Sequence, residues 1–245
     1  MADAQDGTQR PRRFWKAVSV APADGGFAVM LDGRTPRSPG GHPLVPPTRA
    51  LADLIAGEWA AQGEVVEMAA MPATRLAWTA LEKAPAAREA VADEIAKYAG
   101  SDLVCYVAEG PDALVAEQEA AWAPLRDWAA GLDIVLEPAR GVVHRPQPPG
   151  SLARAKALAL ALDDFSLVGL AHGAGLFGSA VIAFALQRGR IDGEEAHALA
   201  RVDEAWQERH WGVDAESAAA AEARRRDAVL LERWFAAGRG ANGES

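Results

Sequence analysis

The sequence predicts an α+β chain, with a small β-rich domain carrying one helix over residues 12–72 and a larger all-helical domain over 73–237. Three observations predict it. Two short apolar runs, at 14–20 and 26–31, flank turn-forming residues near the start. Prolines and glycines then interrupt residues 36–47 too often for any long element, leaving room only for short edge strands. Beyond Pro72, apolar residues recur at helical spacing almost to the end.

The chain begins with a hairpin. The turn-rich Pro22 to Gly26 joins the first two strands, and Asp32-Gly33 marks a second hairpin. Thr48 is placed as an N-cap for a helix whose apolar stripe is Leu51, Leu54, Ile55 and Trp59, with Gly63 ending it. Glu64–Met68 reads as one more strand. Helices are expected over 73–83 and 86–99, the second with Val91, Ile95, Tyr98 and Leu103 in phase. Tyr98, Asp102 and Tyr106 recur every four residues, which sets Asp102 between two phenols on one face. The next helix, 112–130, carries Leu114, Trp122, Leu125 and Trp128. Pro124 lies in its interior, at a cost of about 3 kcal/mol, and is expected to kink or split it.

Residues 138–149 form a loop. Further helices are expected over 151–162, about 166–188, 194–211 and 215–236. Gly212 stops the third of these and Asp214 caps the fourth, with Val213 placed for a hydrophobic staple. Residues 1–11 and 238–245 read as loose tails.

Composition excludes several classes of function. A formal net charge of −9 argues against nucleic acid or an anionic membrane as partner, though an acidic chain can still meet a basic patch on another protein. The single cysteine, Cys105, rules out an internal disulfide and a multi-cysteine zinc site, and is compatible with a reducing cytoplasm. The five histidines show no metal-ligand spacing, so no metal is expected. The first ten residues read as neither a secretory signal nor a transit peptide.

The charge-free run 165–186 approaches the ~20 residues that cross a bilayer. Four glycines, two serines and His172 dilute it, and it reads as a buried core helix or hairpin. Within it, Gly173-Ala-Gly-Leu-Phe-Gly178 matches the dinucleotide fingerprint G-x-G-x-x-G, but no strand precedes it and no second strand brings an acid to a ribose. The favoured reading is that small residues let two helices approach closely. Ser179 lacks the strand–turn–helix setting of a hydrolase nucleophile.

Residues 201–214 are the densest candidate, combining acids, two tryptophans and clear helix punctuation. On a helix, Leu199, Val202 and Trp206 share a stripe, with Asp203 and His210 at its edge. Glu204, Glu208 and Trp211 point away, with Gln207 and Arg201 beside them. Neighbouring helical residues diverge by about 100°, so Asp203 faces inward and Glu204 outward, and they cannot share one substrate. Trp59, Trp122, Trp128, Trp206 and Trp211 are candidate interface anchors, at least half of the eight tryptophans being expected in the core.

Several separated motifs together carry a family resemblance. They are Arg13-Phe-Trp-Lys16, Leu31-Asp-Gly-Arg34, Leu51 through Glu58-Trp59 to Gln62, and Met71-Pro72. Tyr98 through Asp102 to Tyr106, Gln118 with Trp122-Ala-Pro124, Gly178-Ser179, and Asp203-Glu204-Ala-Trp206-Gln207 ending in Trp211-Gly212 complete the set. In this order the chain resembles the assembly chaperone family for the catalytic F(1) head of F-type ATP synthase, in the branch that handles the alpha subunit. Val107 departs from the family's usual Arg, and Trp78 stands in a stretch usually more polar.

The resemblance implies a non-enzymatic chaperone that binds the unassembled alpha subunit and shields the surface that later meets a beta subunit. The acid of its Asp-Glu-x-x-Gln segment maps to Glu204. The client-binding residues are then expected to be Glu204, Gln207, Glu208 and Trp211, supported by Asp203, Trp206, Trp59 and Asp102. No catalytic residue, cofactor or nucleotide is expected, and the free protein is expected to be monomeric. The chain begins almost directly at the Arg-Phe-Trp-Lys motif, the pattern of a bacterial, cytoplasmic member. The alternative is a soluble helical enzyme using Asp203 with His210, or a dinucleotide loop at Gly173–Gly178.

Overall fold

A computed structural model describes residues 11–141 and 143–239. The N-terminal sheet is a hairpin of β1 (Val18–Ala23) and β2 (Gly26–Leu31), paired antiparallel from Val18 opposite Leu31 to Ala23 opposite Gly26. The first strand starts later than the apolar pattern suggested, because the N–H groups of Lys16 and Ala17 donate to the Asp32 carboxylate instead of a ladder partner. Pro22 stays in the strand, and the turn tightens to Asp24 and Gly25. At the other end Asp32 and Gly33 both have positive φ (47° and 79°), and Leu31 and Arg34 exchange backbone bonds, the geometry of the predicted tight hairpin. The proline-broken segment then runs beside β2, with Phe27 N–H donating to Pro46 and Val29 N–H to Leu44.

Thr48 caps α1 (Arg49–Ala60) as predicted, accepting from Leu51 N–H, and Leu51, Ile55 and Trp59 are buried. Glu64–Met68 is not a strand. Only Val65 bridges, to Arg12, because the Gln62 side chain takes the Glu67 N–H, and residues 68–70 turn into a 3-10 helix.

The helical part contains α2 (Pro72–Glu82), α3 (Ala84–Gly100), α4 (Asp112–Ala130), α5 (Pro149–Leu160), α6 (Asp164–Phe177), α7 (Ala180–Gln187), α8 (Gly193–Leu199), α9 (Val202–Trp211) and α10 (Ala215–Arg239). Two expected long helices are each divided. Gly178 adopts the left-handed conformation (φ 62°) and Ser179 caps a new helix, which separates α6 from α7. Arg201 leaves helical geometry and separates α8 from α9. Pro124 does not split α4, which is one helix. The last helix runs through Arg239, past the expected tail boundary, and residues 1–10 and 240–245 lie outside the described residues.

The charge-free run is the centre of the core. Along α7 every residue from Ala180 to Leu186 is buried, and α6 packs on α2, α3, α7 and α10. Its glycines permit that closeness: a side chain at Gly169 would fall 2.8 Å from the rings of Trp234 and Phe235. Among the described residues no helix is long and apolar enough to cross a membrane. A two-residue parallel pair, β3 (Tyr106–Val107) with β4 (Ala139–Arg140), ties the connection before α4 to the loop after it.

Candidate functional site

Helix α4 carries three links to the α8–α9 segment, two of them to α9 itself and one to the end of α8. Gln118 on α4 accepts from Ala108 N–H and donates to Asp203. Arg209 pairs with Glu117 at 2.5 Å, and Trp122 donates to the Leu199 carbonyl at 2.9 Å. Burial raises the pKa of Asp203, with the Gln118 bond opposing and the Glu204 charge adding. Only Val202 on α9 is buried, while Trp206 is half-buried under the guanidinium of Arg209 and the stacked ring of His210. Asp203 thus faces α4 and is partly buried while Glu204 is exposed, the orientations that helical phase predicts.

The Asp203–His210 pair of the enzyme alternative does not form. His210 bonds the Trp206 carbonyl at 2.8 Å and stacks on its indole, one turn back on its own helix.

Beyond Gly212 (φ 84°) the chain reverses into α10, whose cap is Asp214 as predicted, accepting from the N–H groups of Glu216 and Ser217. Val213 does not staple this end; it is 55% exposed. The reversal leaves an open groove of about 410 Å³ between the outer face of α9 and the first turns of α10. Glu204, Gln207, Glu208 and Trp211 line it together, joined by Arg201, Val213, Ala220, Ala221 and Arg224. Trp211 is 78% exposed on its rim, while residues 215–220 are exposed along their length. The ring contact of Trp211 among the described residues is a tilted one to the neighbouring His210 at 6.3 Å, and an indole left that exposed suits a partner surface.

The other expected supporting residues lie elsewhere. Trp59 is buried edge-on between Trp15 and Trp78, at centroid distances of 5.1 and 6.4 Å. Asp102 is fully buried and not flanked by phenols, since α3 stops at Gly100. It accepts from the Ser179 hydroxyl, from Val181 N–H at 3.0 Å and from Val104 N–H at 3.3 Å. Burial pushes its pKa up to about 6 against those bonds. Tyr106 instead meets His144 at 3.1 Å.

The G-x-G-x-x-G match lies within α6, with only its last glycine beyond the helix, so its backbone N–H groups are committed to helical bonds and cannot cradle a phosphate. Among the described residues no group of three or more His, Cys, Asp or Glu could hold a metal.

Sequence reasoning missed Arg224, which reaches the groove from the next helix. It also missed Glu58, which caps α2 by accepting from the N–H groups of Ala73 and Thr74 at 2.7 and 2.8 Å. The triple arginine 224–226 was the only visible hint of the first, and nothing local signals the second.

A family model described as ATP12 chaperone protein matches residues 12–130. Atp12 from Paracoccus denitrificans has a structure similar over 93% of this chain and 98% of its own, with a TM-score of 0.87 at 44% identity. The chain belongs to the ATP12 chaperone family. That family serves ATP synthase assembly. A candidate chaperone from Agrobacterium tumefaciens is also similar, with a TM-score of 0.86 at 40% identity over 93% of this chain and 86% of that one. The mitochondrial protein atp12 of Schizosaccharomyces pombe is 24% identical over 214 residues, covering 82% of this chain and 74% of the relative. The structural likeness thus covers more of the chain than the family model's residues 12–130.

Proposed function

We propose that this ATP12-family protein is a non-enzymatic chaperone that holds the unassembled alpha subunit of the F-type ATP synthase head in the α9–α10 groove. It shields the subunit's beta-facing surface until the beta subunit takes its place. The observation that carries this reading is the exposed Trp211 on a helix fastened to α4, with Glu204 and Gln207 beside it, whose side chains make no hydrogen bond or ion pair among the described residues. A free alpha subunit exposes apolar surface that aggregates unless covered.

Glu204 pairs with a basic group of the client and sets orientation and on-rate more than raw affinity. Trp211 supplies contact area. The beta subunit, with the larger matched surface, displaces the chaperone by mass action, so release needs no nucleotide hydrolysis. The site of action is the bacterial cytoplasm, the free protein is a monomer, and neither nucleic acid nor membrane takes part.

Copurification tests the reading. The wild-type protein is expected to capture alpha subunit, and Glu204→Ala to lose about tenfold in Kd, roughly 1.4 kcal/mol, with an unchanged melting temperature. Equal capture by the variant removes Glu204 from the client-binding set. A clear thermal shift with NAD would contradict the non-enzymatic reading.

A further inference from the structure

The polar side chains lining the groove divide into those already satisfied and those left over. Arg201 and Glu208 hold each other at 2.5 Å. Asp214 accepts from two backbone N–H groups and from the Ser217 hydroxyl at 2.7 Å, which engages Ser217 as well. Glu204, Gln207 and Arg224 remain, and none of them makes a hydrogen bond or ion pair among the described residues. Glu204 stands on α9 and Arg224 on α10, so an unpaired acid and an unpaired guanidinium line two walls of one groove. Trp211, Val213, Ala220 and Ala221 give that groove its apolar part.

An apolar cleft flanked by opposite free charges selects orientation as well as composition, because a reversed ligand meets like charge at both ends. The guanidinium is planar with five donors and fits a carboxylate as a fork, which a lysine does not reproduce. We propose that Arg224 is a specificity-determining contact. The groove takes one segment of the client, in which an apolar side chain is flanked by a basic residue toward Glu204 and an acidic residue toward Arg224. This rests on the chaperone reading above.

The occupant is the client and not a second copy of this chain, since two molecules of net charge −9 repel at close approach. The volume also suits one inserted segment, lying within the ~300–1,000 Å³ range of concave sites that enclose a ligand.

The test is a binding titration of the full-length protein with purified, unassembled alpha subunit. Arg224→Glu is expected to raise Kd at least tenfold, Arg224→Lys and Arg224→Gln by less, and Ala220→Trp, which fills the groove, by a comparable factor. Melting temperatures should match the wild type, because Arg224 and Ala220 are exposed. If the wild type binds alpha subunit and Arg224→Glu binds equally well, the groove proposal is overturned while the chaperone reading stands. If the wild type itself does not bind, the chaperone reading fails. Sedimentation revealing a dimer that Arg224→Glu dissociates would assign the groove to a second copy and overturn the proposal.

Discussion

Asp102 illustrates how one side chain joins elements far apart in the chain. One of its oxygens accepts from Ser179 and the other from Val181, while Leu103 N–H donates to the Gly178 carbonyl at 3.1 Å, so the turn after α3 is fastened to the α6–α7 junction. Asp102→Ala leaves a hydroxyl and two N–H groups buried without an acceptor, and should cost about 3 kcal/mol or more in urea unfolding. The loss should depend on pH. The folded carboxyl, raised to about 6 from its ordinary 3.8, binds a proton in a range where the unfolded one does not. Its contribution to stability is therefore largest at low pH and declines as pH rises from about 4 through 6. The penalty of Asp102→Ala should be larger at pH 5 than at pH 7.5, by roughly 1 kcal/mol. An equal penalty at both values would contradict an Asp102 whose pKa is raised by burial.

What was legible at this scale was local. Thr48, Asp214 and the Asp32-Gly33 turn announce themselves through chemistry with near neighbours, and helical phase alone separated Asp203 from Glu204. Asp102 was misplaced because a spacing of four imitates a continuing helix, whereas Ser101 (φ −135°, ψ 41°) ends it. Besides the near neighbour Val104, the partners of Asp102 lie 77 and 79 positions away, and no spacing rule reaches them.

At the scale of elements, the small residues decide how closely helices pack. The charge-free run was recognisable as core from its composition, and the close approach of its helices from its glycines. Its division at Gly178 was not, since the glycine could equally sit inside a helix until Ser179 is seen to cap α7. Gly193 opens α8 against α10, where an added Cβ would lie 2.6 Å from the Val229 Cα and 2.7 Å from the Ala228 carbonyl oxygen. Backbone atoms cannot swing aside as a side chain can. Gly193→Ala is accordingly expected to lower stability by about 1–3 kcal/mol, visible as a reduced melting temperature. Unchanged melting would mean that α8 and α10 are less tightly joined than the geometry requires. Because α8 leads directly into α9, the same substitution should weaken client capture in proportion to any displacement of α9.

For the whole molecule, we propose two domains meeting near residue 72, with bonds crossing between them. Glu58 on α1 caps α2, and the Thr48 hydroxyl donates to the Ala237 carbonyl at 2.8 Å near the end of α10. Burial raises the pKa of Glu58, against the bonds from Thr74 and Ala73 that favour its charge. The β-rich part thus braces both ends of the helical part, while α9 and the start of α10 stay uncovered. The α+β division and the outward helix face could be read from pattern. The groove could not, because it needs Arg224 to arrive from a helix that begins after the reversal at Gly212.

The proposed function depends on this uncovered face holding an alpha subunit that the beta subunit later claims. The direct measurement is a competition titration, in which beta subunit is added to a preformed complex of this protein with alpha subunit and the bound fraction is followed. Progressive release of the chaperone is expected as alpha–beta contacts form, without nucleotide hydrolysis. A stable complex containing all three proteins, or no complex with alpha subunit to begin with, would contradict it.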